Sequence, residues 1–229
     1  MLLLLIESAT EICSVALAQD DKIIAVKECS DGFSHAKNLI PFIDDILCEK
    51  NIDKKELSGI GLSIGPGSYT GLRIGTSTAK GLAYSLDIPV LTSSTLLSMM
   101  MGARQDFPNR DYLFCPMIDA RRMEVYTAIY DYQGKTVEDV HALIVEQDSF
   151  AELLTNHTVV FCGNGMPKCK ELLSQYERAL FSDRPLSAAN LLTPTIEKFK
   201  AKVFEDVAYF EPFYLKEFVA VKSKVKGLV

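Results

Sequence analysis

The sequence predicts an α/β fold that is duplicated, with each half of the chain forming a mixed sheet covered by helices. The order of elements is the first reason: three strands, then alternating helices and strands, in residues 1–103 and again in outline in 104–229. A second is the apolar strand at 60–64, which passes through a glycine-rich loop into a helix. The third is the polar segment 104–111, which Pro interrupts and which marks a boundary between two domains.

The first half opens with an apolar run and continues with two alternating segments separated by an Asp20-Asp21 turn, which predicts an antiparallel three-strand meander. Ser34 then caps a helix whose apolar residues recur every three or four positions. The predicted elements are strands at 2–6, 12–17 and 22–26, helices at 34–50 and 53–57, the strand 60–64, a helix extending to residue 86, and a strand at 89–91.

The second half repeats this order. Strands are predicted at 112–118, 123–132, 137–145 and 159–162, and helices near 150–154, 168–176 and 188–204. Two-layer domains duplicated in this way are similar in architecture to the actin-like superfamily (ASKHA, ribonuclease H-like), a similarity that concerns the fold and carries no activity. The last roughly 20 residues either pack back on the fold or form a frayed terminus, and the sequence does not decide between the two.

Composition excludes several classes of protein. The 229 residues are 48% apolar and carry a net charge of -6, so a broad surface that holds a polyanion by itself is not expected. The apolar start at 2–6 is too short for a signal peptide, and no stretch reaches the ~20 apolar residues of a membrane span. The six cysteines form no Cys-x-x-Cys pair, as in reduced proteins of the cytoplasm.

The chain is organised around residues 65–75, Gly-Pro-Gly-Ser-Tyr-Thr-Gly-Leu-Arg-Ile-Gly. The glycines and Pro66 force a sharp turn, and Ser68 or Thr70 can cap the helix that follows. A helix start with bare N–H groups attracts anions, but the loop fits neither the P-loop nor the dinucleotide fingerprint. Phosphate or partner contacts are therefore the two interpretations for Ser68 and Arg73, with phosphate the less favoured.

Four small residues spaced four apart leave one side of this helix almost without side chains: Gly71, Gly75, Ala79 and Ala83. Two glycines on one helix face need a reason, since each costs about 1 kcal/mol relative to alanine. Close approach of another backbone is the usual one, and packing within the chain or against a partner helix are equal alternatives. We predict a partner helix, with a binding face made of this stripe together with Thr70, His35 and Leu39.

Other polar groups give weaker signals. Asp119 and Arg121 lie close to Arg122 and Glu124 in a predicted hairpin. These side chains either bind a phosphate or a partner, or are only solvated charges on the turn. His35, at a helix start, is interpreted as a capping or surface histidine. The basic tail contains Lys216, Lys222, Lys224 and Lys226, and contact with tRNA and simple solvation both stay open.

Three motifs resemble the TsaB (YeaZ) family: residues 6–10 with 13–17, the glycine-rich block 65–75, and Asp119-Ala120-Arg121 ahead of Glu124-Val125-Tyr126. The resemblance spans the chain and is weakest at 133–205. It implies a cytoplasmic partner protein in the formation of N6-threonylcarbamoyladenosine beside the tRNA anticodon. Implied partners are a catalytic TsaD paralogue and a TsaE-like ATPase, with tRNA reached indirectly through the complex and a homodimer expected for the isolated chain.

The resemblance also implies that this paralogue has lost the chemistry. TsaD carries two metal-binding histidines where this chain has Thr95 and Met99, neither of which suits a hard catalytic metal. The first loop of the fold has no glycine, and Glu7 replaces the aspartate usual in the family. No catalytic residue, metal or tightly bound cofactor is therefore expected, and ATP or ADP is expected only at the partner interface. The alternatives are a kinase or ATPase of the same fold and, because the family has carried the label glycoprotease, a peptidase.

Overall fold

The computed structural model describes residues 1–30 and 35–216. Both halves of the chain form a five-stranded mixed sheet, as the sequence predicts. The first half contains the strands Leu2–Glu7 (β1), Cys13–Gln19 (β2), Lys22–Cys29 (β3), Gly59–Gly65 (β4) and Val90–Ser94 (β5) with the helices His35–Glu49 (α1), Tyr69–Leu86 (α2) and Thr95–Ala103 (α3).

The second half repeats the plan with shorter helices. It contains the strands Leu113–Asp119 (β6), Glu124–Tyr130 (β7), Thr136–Ile144 (β8), Val159–Cys162 (β9) and Ala179–Ser182 (β10) with the helices Ala151–Asn156 (α4), Met166–Leu173 (α5) and Leu192–Ala201 (α6). Short 3-10 turns occupy Lys54–Glu56 and Ala188–Leu191.

The two sheets have the same topology. The strand orders are β3-β2-β1-β4-β5 and β8-β7-β6-β9-β10. In each, the first three strands form an antiparallel meander and the last two add in parallel to the first strand. Parallel neighbours require a crossover, and α2 and α5 occupy the corresponding positions, after β4 and β9. The duplication predicted from element order is therefore confirmed at the level of strand pairing.

The helices α1 and α2 cover one face of the first sheet, where leucine and isoleucine side chains of β1 and β4 form the core with them. The opposite face is covered by the 3-10 turn Ala188–Leu191 and by α6, which pack on Leu3, Leu5 and Ala16. The Ala188 N–H donates to Ser14 Oγ on β2 at 2.8 Å. The end of the second half therefore completes the first sheet.

The helix α3 crosses in the opposite direction, from the first half of the chain to the second sheet. It belongs to the first half by sequence, yet Leu96, Met99 and Met100 pack on Phe114 and other residues of the second sheet. The sequence predicts no separate helix here. All but one of the nine residues of α3 are buried, so the helix lacks the one-sided apolar pattern that reveals a surface helix. The strands before and after residue 104 form separate sheets, but the packing of helices crosses this position.

Two further elements differ from the sequence predictions. The helix expected at 188–204 is instead a 3-10 turn followed by α6, because Pro194 lacks an N–H and fits only the first turn of a helix. The strand β10 was missed, since its four residues are too short to form a pattern. Within residues 1–30 and 35–216, none of the helices has the length and apolarity needed to cross a bilayer.

Residues 203–216 return across the first sheet as a segment with a turn at 207–209, which we call the strap. The Glu205 N–H donates to the Val90 carbonyl at 2.9 Å, and the Phe213 N–H donates to the Ile64 carbonyl at 2.8 Å. Phe210 enters the core under α1 and α2. Up to residue 216 the chain therefore packs back on the fold, whereas Lys222, Lys224 and Lys226 lie outside the described residues.

Candidate functional site: a cleft between the sheets and the α1–α2 face

A cleft of about 660 Å³ separates the carboxyl ends of the two sheets. The loop after β1, the start of α2 and the β6–β7 turn line it from opposite sides. Six of the predicted site residues line it: His35, Ser68, Thr70, Gly71, Asp119 and Arg121. Groups that are up to 86 residues apart along the chain, from His35 to Arg121, therefore share one concave surface.

Hydrogen bonds at the glycine-rich loop are directed inside the chain. Ser68 is the N-cap of α2, and its Oγ accepts from the Gly71 N–H at 3.3 Å. The Ser68 N–H donates to the Ala9 carbonyl at 2.6 Å. Because the loop after β1 satisfies one of these backbone donors and the cap another, the geometry favours a structural role for the loop over phosphate binding.

The small-residue stripe is buried inside the chain, so its prediction as a partner-binding surface is wrong. A Cβ added to Gly71 would lie 2.1 Å from the Ser8 carbonyl oxygen, and one added to Gly75 would lie 2.2 Å from Ser8 Oγ. Ala79 and Ala83 are part of the core between α2 and the first sheet. The close approach that the glycines permit is therefore made by the loop after β1, and the intrachain alternative holds.

His35 and Leu39 are also buried, which corrects their prediction as contact residues of the α1 surface. Leu39 packs in the first core. His35 is neither a surface histidine nor fully satisfied, since its Nε2 has no hydrogen-bond partner among residues 1–30 and 35–216. Ser34, the predicted cap of α1, lies outside the described residues.

The outward faces of α1 and α2 lie next to the buried stripe and form an exposed surface. Thr70, predicted as a contact residue, is on it. Gly81 has no atom within 4 Å of its would-be Cβ, and the neighbouring Tyr84 is 86% exposed. Ile40 of α1 adds an exposed apolar side chain. We call this surface the α1–α2 face.

Arg73 does not reach the cleft. Its guanidinium lies over the Tyr69 ring, 4.0 Å from the centroid, and its Nε donates to the Tyr214 hydroxyl of the strap at 3.3 Å. The Tyr69 and Tyr214 rings are themselves 4.8 Å apart. Arg73, predicted as a phosphate or partner contact, therefore lies on the outer side of α2.

The β6–β7 turn is ordered by contacts that the sequence analysis did not identify. Lys168 of α5 donates both to the Asp119 carboxylate and, at 2.6 Å, to the Glu124 carbonyl. Asp119 also accepts from the Arg121 N–H at 2.9 Å. Burial raises the pKa of Asp119, but the Lys168 ammonium and these hydrogen bonds outweigh it and hold the pKa below its usual value. Asp119 therefore organises the turn.

Two contacts bridge the cleft. Asn164, on the loop after β9, donates to Glu11 Oε2 at 2.7 Å and accepts from the Asp119 N–H at 3.1 Å. On the other side, Lys216 of the strap donates to Glu124 Oε1 at 2.5 Å. No local pattern in the sequence identifies Asn164 as a bridge, since its partners are at least 45 residues away.

Glu7 lies at the end of β1 beneath the cleft and is fully buried. Its Oε1 accepts from the Ala9 N–H at 2.9 Å, which shapes the loop after β1. The other oxygen, Oε2, has no hydrogen-bond partner among the described residues. The nearby Ser63 hydroxyl and the backbone N–H groups offset only part of the free-energy cost of burying the charged carboxylate. Loss of hydration therefore raises the pKa of Glu7 to about 7.

This shift predicts a pH-dependent stability. A carboxyl whose pKa is raised on folding does not lower the free energy of unfolding below pH 4.5, its unfolded pKa. The loss of stability grows as the pH rises to about 7. Relative to the wild type, Glu7→Gln should therefore become more stable by roughly 3 kcal/mol between pH 4.5 and 8. Urea unfolding at both pH values measures the change. A stability difference that is independent of pH would show that Glu7 is not the titrating group.

Thr95 and Met99, where a TsaD enzyme would carry its histidines, are packing residues. The Thr95 hydroxyl lies 2.7 Å from Ser63 Oγ, and Met99 packs in the core between the sheets. Burial raises the pKa of the Cys13 thiol to about 11 and that of Cys115 to about 12, so both remain protonated. No cluster of three potential metal-ligating side chains occurs among residues 1–30 and 35–216.

Comparison with protein families supports a relationship along the whole chain. The family model described as TsaD, tRNA N6-adenosine threonylcarbamoyltransferase, matches residues 32–227. The tRNA threonylcarbamoyladenosine biosynthesis protein TsaB of Escherichia coli is 31% identical over 97% of this chain and 98% of its own length. TsaB of Bacillus subtilis is 36% identical over 140 residues, which are 61% of this chain and only 59% of that relative.

Solved structures agree with these relationships. A Pseudomonas aeruginosa protein described as similar to peptidase YEAZ superimposes with a TM-score of 0.82 at 27% identity, covering 94% of this chain and 99% of that one. An Arthrobacter polyphosphate/ATP-glucomannokinase superimposes with a TM-score of 0.51 at 12% identity over 88% of this chain and 99% of that one. The kinase likeness concerns the fold alone and confirms the actin-like architecture.

Proposed function

The chain belongs to the TsaB (YeaZ) family, and from this membership we propose that it acts in the biosynthesis of tRNA threonylcarbamoyladenosine as a noncatalytic subunit. The observation that carries the proposal is the pair Thr95 and Met99, which are buried where the paralogous TsaD enzymes carry their metal ligands. A hydroxyl and a thioether packed in the core cannot form that centre. Catalysis therefore belongs to a TsaD-type partner.

The α1–α2 face is the proposed surface for this partner. A paralogue with the same fold carries an equivalent helix pair, so the two pairs can meet about a pseudo-twofold axis. Exposed Ile40 and Tyr84 supply apolar contact area, and Gly81 permits close approach of a facing helix. The same surface, being self-complementary, supports a homodimer of the isolated chain.

The remaining parts of the proposal follow from the assembly. A TsaE-like ATPase is its third member, and ATP or ADP binds at the partner interface rather than tightly to this chain. The tRNA is held mainly by the assembled complex, because the chain carries a net charge of -6. The assembly works in the cytoplasm, where its tRNA is found.

Reconstitution tests the proposed function. The chain is mixed with its TsaD-type partner, the TsaE-like ATPase and the threonylcarbamoyl adenylate on unmodified tRNA, and the modified nucleoside is measured by mass spectrometry. Omission of this chain should abolish modification, and adding it back should restore it. Full modification in its absence would refute the proposal.

A separate measurement tests for activity of the isolated chain. We expect it to release phosphate from ATP no faster than a blank, to cleave no peptide substrate, and to contain less than one transition metal ion per chain. The reasons are the loop after β1, which has no glycine, and the buried packing of Thr95 and Met99. ATP turnover would favour a kinase or ATPase, and a bound metal by elemental analysis would contradict the noncatalytic role.

A further inference from the structure

A second groove, of about 260 Å³, lies on the outer side of α2 and does not belong to the cleft. One wall is the side of α2 that carries Arg73 and Lys80, and the other is the strap from Phe210 to Tyr214. The two cations stand seven residues apart, or two helical turns, so they point the same way. Neither the family relationship nor the noncatalytic role assigns a purpose to this groove.

Aromatic rings hold both cations in place. Arg73 stacks over Tyr69 and binds Tyr214, as described above. The Lys80 ammonium lies 4.6 Å from the centroid of the Phe210 ring and donates to the Ala208 carbonyl at 3.1 Å. Cation–π contacts and single hydrogen bonds orient these groups while their remaining donors are left for another acceptor.

Neither of the two cations forms an ion pair with a carboxylate within residues 1–30 and 35–216. The chain has 30 acidic and 24 basic residues, so carboxylates are in excess. Lys27, Lys168 and Arg184 each have such a partner. Glu211 lines the same groove, but it pairs with neither Arg73 nor Lys80. Two adjacent unpaired cations therefore remain at this groove.

An unsatisfied hydroxyl lines the groove, and an exposed ring is adjacent to the groove in the sequence. Thr76 is 5% exposed, and its Oγ1 is buried with no hydrogen-bond partner among the described residues. Tyr209, next to the groove residue Phe210 in the sequence, is 84% exposed. Arginine and lysine are common ligands of nucleic-acid phosphates, and exposed aromatic rings stack on bases.

We propose that this groove binds the phosphate backbone of RNA, with Arg73 and Lys80 as the phosphate ligands and Tyr209 as a stacking surface. An acidic protein segment would use the cations but would leave the exposed ring without a flat partner, so RNA is the occupant that these contacts favour. The inference rests on the proposed function for the identity of the RNA. It adds one direct contact to a tRNA held mainly by the partner.

Salt-dependent binding of a labelled anticodon stem-loop RNA to the full-length chain tests the groove. Arg73→Gln combined with Lys80→Gln removes two phosphate contacts, so the slope of log K against log salt should become shallower by about 1.4. Glu211→Gln removes the opposing charge and should tighten binding. Lys54→Gln combined with Lys55→Gln removes the same charge from an exposed 3-10 turn elsewhere and should change the slope less.

Further arms separate other sources of binding. The same pairs are measured with Lys222, Lys224 and Lys226 changed to glutamine, which removes attraction by the tail. Inorganic phosphate is added as a competitor to distinguish a site for the RNA backbone from a site for free phosphate. A site for free phosphate would be saturated by inorganic phosphate alone, in the absence of RNA. Circular dichroism establishes that each variant is folded.

Three results would overturn the inference. One is the absence of RNA binding at low salt up to about 10⁻⁴ M protein, the weak limit of non-specific association. Another is an equal slope for the groove and control variants. The last is an Arg73–Lys80 variant that loses the protein partner but keeps its RNA affinity, since the groove would then hold a protein carboxylate. None of these results affects the omission experiment, which tests the proposed function by itself.

Discussion

Ala79→Arg is expected to destabilise the fold strongly. Ala79 is 0% exposed and packs between α2 and the first sheet, so the new side chain would overfill the core and bury an unpaired charge. We expect a loss of more than about 4 kcal/mol, a large part of the total stability of a typical domain. In a chain of this length that corresponds to a melting temperature lowered by roughly 10–15 °C.

Differential scanning calorimetry measures the effect, with Ala201→Arg, at the exposed last residue of α6, as the control for adding an arginine to a helix. The control should melt within a degree or two of the wild type, since its side chain extends into solvent. If Ala79→Arg melted like the control, the small-residue stripe would be accessible, contrary to the buried packing of α2.

Gly81→Arg is expected to block association with the TsaD-type partner while the fold survives. Nothing lies within 4 Å of a Cβ at this position, and arginine is a better helix former than glycine, so folding should gain about 0.5–1 kcal/mol. The long side chain would prevent a facing helix from approaching. We expect partner affinity to fall at least about 30-fold, equivalent to ~2 kcal/mol.

Isothermal titration with the partner and light scattering of the isolated chain measure this result. Ala201→Arg again serves as the matched control, because it adds the same charge on the opposite face of the first sheet. Unchanged partner affinity for a folded Gly81→Arg chain would place the interface elsewhere and would remove the α1–α2 face from the proposal.

The sequence predicted the candidate cleft in part. Ser68, Asp119 and Arg121 were recognised from local patterns, a glycine-rich turn and a charged hairpin, and these patterns survive in the structure. Lys168 and Asn164 could not be found in that way. Each acts on a group at least 44 residues distant, so only the folded topology makes it a neighbour of the β6–β7 turn.

Burial of the small-residue stripe was also beyond the sequence. A spacing of four shows that Gly71 and Gly75 share a side of α2, but intrachain packing and a partner helix demand the same small residues. The contact that decides between them is the approach of Ser8 to both glycines. That contact depends on how β1 and β4 pair.

By itself, the sequence determined nine of the ten strands in the described residues, the duplicated order of elements and the start of α2, because alternation, helical spacing and capping are local properties of the chain. Only the tertiary structure decided which helix covers which sheet. α3 packs on the second sheet and α6 on the first, since an apolar face gains the same free energy on either sheet and the connections and strand pairing select one. The groove beside α2 exists for the same reason, as the strap returns to the first sheet and brings Tyr214 to Arg73.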